Sequence, residues 1–100
     1  MRIEKSAIEF EWDKGNIGKN KKHGVEDKEG EEVFLDENKI IYKDVVHSQK
    51  EKRFIVIGKN EQGRLLFISF TYRRKRMRII SVRDTDRKEK NLYEEAIKTA

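Results

Sequence analysis

Two strongly β-like segments flank a run in which five of the six residues from Arg73 to Arg78 are basic. The first runs from Arg64 to Tyr72 and the second from Met77 to Arg83. In the first, Leu66, Ile68, Phe70 and Tyr72 share one face with Arg64, and Leu65, Phe67, Ser69 and Thr71 share the other with Arg73. Both faces are apolar in the middle, which predicts a central strand with its polar residues at the ends. In the second, strict alternation puts Met77, Ile79, Ser81 and Arg83 on one face and Arg78, Ile80 and Val82 on the other. A strand pair ringed by guanidiniums suits a phosphate backbone better than a plain core sheet, because arginine offers planar, bidentate donors that never deprotonate. The feature points to nucleic acid, RNA first.

Other elements follow from periodicity. Ile8 to Trp12 alternates like a short half-buried strand. Asp13 can cap a helix through Lys22, with Ile17 inward and Gly24 as its stop. A second helix spans Val25 to Leu35, with Val33 and Phe34 toward the core and Gly30 lowering its propensity. Ile40–Val45 and Phe54–Gly58 read as strands, and Asn60–Gly63 as a turn. Asp86 and Glu89 are spaced as a capping box for a last helix carrying Leu92, Tyr93, Ala96 and Ile97 on one stripe. Glu94 and Lys98 are placed there as an i,i+4 pair. The predicted order is β-α-α-β-β-β-β-α: an α+β fold, a twisted antiparallel sheet packed with N-terminal helices and a C-terminal helix, in one domain over residues 1–100.

Charge divides the chain. Residues 1–50 hold 10 Lys/Arg against 12 Asp/Glu, and residues 51–100 hold 14 against 7. The second half therefore carries all the excess positive charge, which makes a phosphate-attracting face. There is no Cys, hence no disulfide and no thiolate metal site, and His23 and His47 alone make a zinc site improbable. Neither a membrane-length apolar run nor a secretory signal pattern is present, so the cytoplasm is the expected location.

No Gly-rich phosphate loop, nucleophile elbow or paired carboxylates occur. A metal-independent ribonuclease needs less: a group to take the 2′-hydroxyl proton, a group to protonate the leaving oxygen, and cations for the charged phosphorane. His, Arg, Lys and Tyr suffice. His47 lies in a polar link among Lys50, Lys52 and Arg53, where like charge lowers a histidine's proton affinity toward neutral-pH acid–base work. His23, beside Gly24, reads as a helix C-terminal cation. The plainer reading of the arginines is solvated strand ends, or an edge protected from pairing.

The chain resembles the BrnT family of type II toxin–antitoxin toxins. The matching pieces are Phe10-Glu11-Trp12-Asp13, Gly15-Asn16, Lys19-Asn20, Lys22-His23-Gly24-Val25, and Glu32-Val33-Phe34-Leu35-Asp36. They continue with His47-Ser48, Glu51, Arg53, Gly63-Arg64, Phe70-Thr71-Tyr72-Arg73, Arg78-Ile79-Ile80-Ser81-Val82-Arg83, Glu89 and Tyr93. The resemblance implies a RelE-like endoribonuclease that slows growth. It also implies a BrnA-like antitoxin with a ribbon-helix-helix part that alone reads DNA, in an assembly of two toxins and two antitoxins. Carried over by position, Arg64, Thr71, Arg73 and Arg83 match the family's active face, and His47, Glu51 and Arg53 its strand-entry motif. Arg64 and Arg83 are then the phosphate and transition-state clamps, His47 or Tyr93 transfers the proton, and Arg74, Lys75, Arg76 and Arg78 bind RNA. No cofactor or metal is implied. The chain departs from the family where Asp27 and Gly30 replace an aromatic and an Ala, which loosens the second helix, and where Arg74-Lys75-Arg76 replaces a small turn. The alternative function is a non-catalytic RNA-binding or partner-docking module using the same basic face.

Overall fold

The computed structural model of the 100-residue chain describes residues 8–99. Four strands, β1 (Ile40–Lys43), β2 (Arg53–Lys59), β3 (Leu65–Arg73) and β4 (Arg76–Asp84), form one antiparallel sheet in the order β1-β2-β3-β4. Helix α1 (Asp27–Val33) and a 3-10 helix (Lys19–His23) precede the sheet, and α2 (Arg87–Thr99) follows it. The architecture is α+β, as the sequence predicts, and β3 is central.

The two faces of the sheet carry separate cores. On one, Val56, Leu66, Ile68, Phe70, Ile79 and Val82 bury against Val33 and Phe34 at the end of α1 and against Val25. Phe34 meets Phe10 and Phe70 edge-on, with ring centroids 5.4 and 5.0 Å away. Each such side chain contributes roughly 1.5–3 kcal/mol when fully buried. On the other face, Ile55, Ile57 and Tyr93 cluster with Ile40, Leu65 and Phe67. Here α2 covers only one end of the sheet.

Gly30 does not loosen α1. A Cβ there would lie 3.2 Å from both Ile79 Cδ1 and Val82 Cγ2, so the missing side chain lets the helix sit close on β4. Glu29 accepts the Glu26 amide and starts the helix at Asp27, two residues later than the apolar pattern suggests.

Three expectations are corrected. The strand over 8–12 is reduced to one parallel bridge, Phe10 with Met77, because the chain turns away at Asp13. The helix over 13–22 is a turn followed by the 3-10 helix, since Gly18 adopts φ 67° and breaks the run. Ile17 consequently points outward, 59% exposed. On α2 only Tyr93 of the expected stripe is buried; Leu92 and Ile97 are exposed. Lys98 there pairs with Glu95.

The remaining irregularity decides the site. Between Ser69 and Phe70 the β3–β4 register shifts by one: Phe70 faces Ile79, but Ser69 faces Ser81. Ile80 is the extra residue of a β-bulge. Alternation therefore breaks within β4, and Ile79 and Val82 both enter the α1-side core. Ser81 and Arg83 turn to the opposite face, where Arg83 lies over Phe67. Two buried asparagines pin this edge: Asn16 donates to the Ile79 carbonyl at 3.0 Å, and Asn20 accepts the Val82 amide at 2.9 Å.

Candidate active site

Because α2 covers only one end of this face, a cleft of about 320 Å³ opens over β2, β3 and β4. Its floor follows from the register. Ile55, Ser69 and Ser81 form one cross-strand row, and Ile57, Phe67 and Arg83 the next. The loop between β1 and β2 supplies the wall with Asp44 and His47, joined by Arg53 at the start of β2. His47 and Arg53 also line a neighbouring opening with Lys50 and Glu51.

Arg83 is held from behind. Its Nη1 and Nη2 donate to the two Glu89 carboxylate oxygens at 2.8 Å each, and Nη1 also donates to the Asp84 carbonyl. Its guanidinium carbon stands 4.0 Å from the centre of the Phe67 ring, a cation–π contact. These contacts occupy the end of the guanidinium. The side formed by Nε and the second Nη2 hydrogen has no partner among the described residues, and a fork of that geometry matches two phosphate oxygens. The Glu89 carboxylate also pushes the Arg83 pKa up, so the cation is permanent.

His47 faces a carboxylate rather than the nearby lysines. Its Nδ1 lies 2.9 Å from Asp44 Oδ2, and Asp44 also accepts the His47 amide. An Nδ1–H bonded to Asp44 leaves Nε2 as the free proton acceptor. Ser48 fixes this loop by donating to the Asp44 carbonyl and accepting the Arg53 amide. Arg53 is loosely held: Glu51 lies 3.7 Å away, and its Nε is buried without a partner among the described residues. Tyr42 shares the face through its pairing with Ile55; burial, then the Glu89 and Asp44 charges, raise its pKa.

The structure thus brings His47, Arg53 and Arg83 to one cleft, while the other expected residues are engaged by different partners. Arg64 lies on the opposite side. Its Nε and Nη2 grip Asp84 at 2.8 and 2.9 Å, and its Nη1 donates to the Gly24 carbonyl, so it ties the end of the 3-10 helix to β4. The helix end is met by Arg64, a role the sequence assigns to His23. Tyr93 is 2% exposed and donates to Asp36 at 2.6 Å; burial first and that bond second push its pKa well up. It packs in the core cluster with Ile55 and Ile57. Thr71 is buried with its hydroxyl on the Lys52 carbonyl, where it anchors the loop. Arg73 and Arg78 converge on Glu11, and Arg78 also grips Asp13. Arg73 and Arg78 hold these carboxylates, Glu11 and Asp13 respectively, below their usual range.

Arg74 and Lys75 form the hairpin tip in the left-handed region, at φ 52° and 64°. Asp44, Tyr42, Ser69 and Ser81 escape the sequence reading. The available signals are the Asp44-to-His47 spacing and two serines interrupting otherwise apolar strands. Among the described residues no group of three or more His, Asp or Glu side chains is placed to hold a metal ion.

A family model for the ribonuclease toxin BrnT of type II toxin–antitoxin systems matches residues 12–89. That span runs from Trp12 to Glu89, the carboxylate holding Arg83. No curated protein matches the chain. Since the family match covers more than three quarters of the sequence, the protein belongs to the BrnT family of ribonuclease toxins.

Proposed function

We propose that the cleft is the ribonuclease centre and that it cleaves RNA internally without a metal ion. The observation that carries this reading is one cleft holding a histidine oriented by a carboxylate and an arginine anchored by Glu89 with its phosphate-matching edge open. His47 Nε2 takes the proton of the 2′-hydroxyl. The 2′ oxygen then bonds to phosphorus, and the P–O5′ bond breaks. The leaving 5′ oxygen takes a proton from solvent in the open cleft, leaving a 2′,3′-cyclic phosphate on the upstream fragment. Arg83 and Arg53 stabilise the charge that builds on the phosphoryl oxygens. Asp44 and Glu89 are positioning residues.

The strand-end cations Arg73, Arg74, Lys75, Arg76 and Arg78 give the RNA backbone an electrostatic track beyond the cleft. In this reading the meander is RelE-like and the whole chain is one domain. The toxin acts in the cytoplasm and is neutralised by a BrnA-like ribbon-helix-helix antitoxin in a two-plus-two assembly. No helix among the described residues is long and apolar enough to cross a membrane.

The test is cleavage of a defined RNA by purified protein in EDTA, with wild type beside folded Arg83→Ala and His47→Ala variants. The expected result is EDTA-resistant cleavage with cyclic-phosphate ends, lost by about 10²-fold or more in each variant. RNA binding without cleavage by the wild type would replace this reading with a binding module.

A further inference from the structure

The floor of the cleft contains two hydroxyls where a sheet of this kind carries apolar side chains. Ser69 on β3 and Ser81 on β4 are direct cross-strand partners, and both line the cleft. Their neighbours on this face are Ile55, Phe67 and Ile80. Ser69 lies on the central strand β3, for which serine has no special preference, and Ser81 lies exposed on the edge strand β4. Neither hydroxyl has a hydrogen-bond partner among the described residues. Ser81 reaches this face only because the bulge at Ile80 turns it there.

The pair sits between two cations. Along β3, the row before it holds Phe67 and Arg83, and the row after it holds Thr71, which faces Arg53. Rows on one face of a strand are about 7 Å apart. Side chains directly opposite one another stand about 5 Å apart at Cβ. Two hydroxyls at that separation can each donate to a different oxygen of one tetrahedral anion. A guanidinium on either side then supplies charge without covering the floor.

We propose that Ser69 and Ser81 form a phosphate subsite, their hydroxyls donating to the non-bridging oxygens of the RNA phosphodiester between Arg83 and Arg53. This deepens the ribonuclease reading and rests on it for the identity of the ligand. The serines then bind and orient the reacting phosphate, while the arginines carry the charge.

Two readouts separate the subsite from the reaction. The first is the backbone amide NMR signals of residues 69 and 81 during titration with inorganic phosphate. The second is kcat and KM on a cleavable RNA. Both are applied to wild type, Ser81→Ala, and Ser69→Ala/Ser81→Ala, with a urea midpoint confirming that each variant folds. The expected result is a phosphate-dependent shift at 69 and 81, and phosphate affinity at least tenfold weaker in the double variant. Its kcat/KM falls by a similar factor, and Ser81→Thr recovers part of the loss. Unchanged phosphate affinity in the folded double variant overturns the subsite, as does a shift confined to the 74–76 turn. If cleavage proceeds unaltered in the double variant, the subsite fails and the ribonuclease reading stands. If phosphate binds at the serines but the wild type cuts no RNA, the ribonuclease reading fails and the subsite stands.

Discussion

The side-chain oxygen of Asn20 accepts the Val82 amide at 2.9 Å, across 62 positions of sequence, on the strand edge where the β4 bulge lies. With Asn16 on the Ile79 carbonyl, it satisfies edge groups that would otherwise be buried and unpaired. Asn20→Ala should therefore destabilise the fold by roughly 1–3 kcal/mol. The loss should also lower RNA cleavage per folded molecule, because the strand that aims Arg83 is no longer pinned. Urea denaturation with parallel activity measurement checks both. A stability loss with unchanged activity per folded molecule would detach the asparagines from the site.

The carboxyls of Glu11, Asp13 and Asp84 are held below the ordinary carboxylate range, first by hydrogen bonds from Arg73, Arg78 and Arg64 respectively. For a carboxylate depressed on folding, the unfolded chain binds more protons, so stability rises with pH. The contribution is complete above about pH 4.5 and disappears as pH falls through the depressed folded values. Asp13→Asn should flatten that acid limb, measured as urea midpoint against pH from 2 to 6, and leave the neutral region nearly flat.

Arg64→Ala tests the separation of Arg64 from the cleft. Its contacts are partly exposed, so the expected cost is only about 1 kcal/mol after screening. Activity per folded molecule should stay near wild type, while Arg83→Ala loses it. Comparable activity losses in the two folded variants would return Arg64 to the reacting centre.

The hairpin tip stores strain. Two non-glycine residues in the left-handed region cost about 1 kcal/mol or more each. Lys75→Gly should raise stability by about 1 kcal/mol. If Lys75 contacts RNA, the slope of log affinity against log salt should shrink by about 0.7. Greater stability with an unchanged slope would leave the turn without a part in RNA binding.

Tyr93→Phe removes one hydroxyl bonded to Asp36 and leaves the ring in the core. A loss of roughly 1–3 kcal/mol in stability with unchanged kcat is expected. A large kcat loss in a stable variant would make this phenol part of the chemistry.

How much of this was legible in the sequence depended on whether local periodicity or long-range pairing set the outcome. β2 and β3 carry long β-branched and aromatic runs, and their places follow from pattern alone. Val33, Phe34, Gly24 and Gly63 also fall where the sequence puts them. The α2 capping pair forms reciprocally, Asp86 with Glu89. The faces of β4 were misread because period-two reasoning has no term for an extra residue. The bulge is held by Asn16 and Asn20, both far away in the chain. His47 and Arg53 were visible as a polar loop, but their common cleft with Arg83 depended on that same displacement. Arg64 looked identical to Arg83 in sequence. Only the partners, Asp84 for one and Glu89 for the other, give them different work.

Ile80 is the one residue of β4 that the ladder could lose without changing which way its neighbours point. Deleting it would leave Ser69 opposite Ser81 and Phe70 opposite Ile79 in even pleating, with Ser81 and Arg83 still over the cleft. Keeping Ile80 but ironing out the bulge would do the opposite and carry Ser81 and Arg83 to the α1 side, into space already filled by Val33 and Phe34. The bulge thus works as a slack loop of one residue: it absorbs a change in chain length so that the cleft face does not register it.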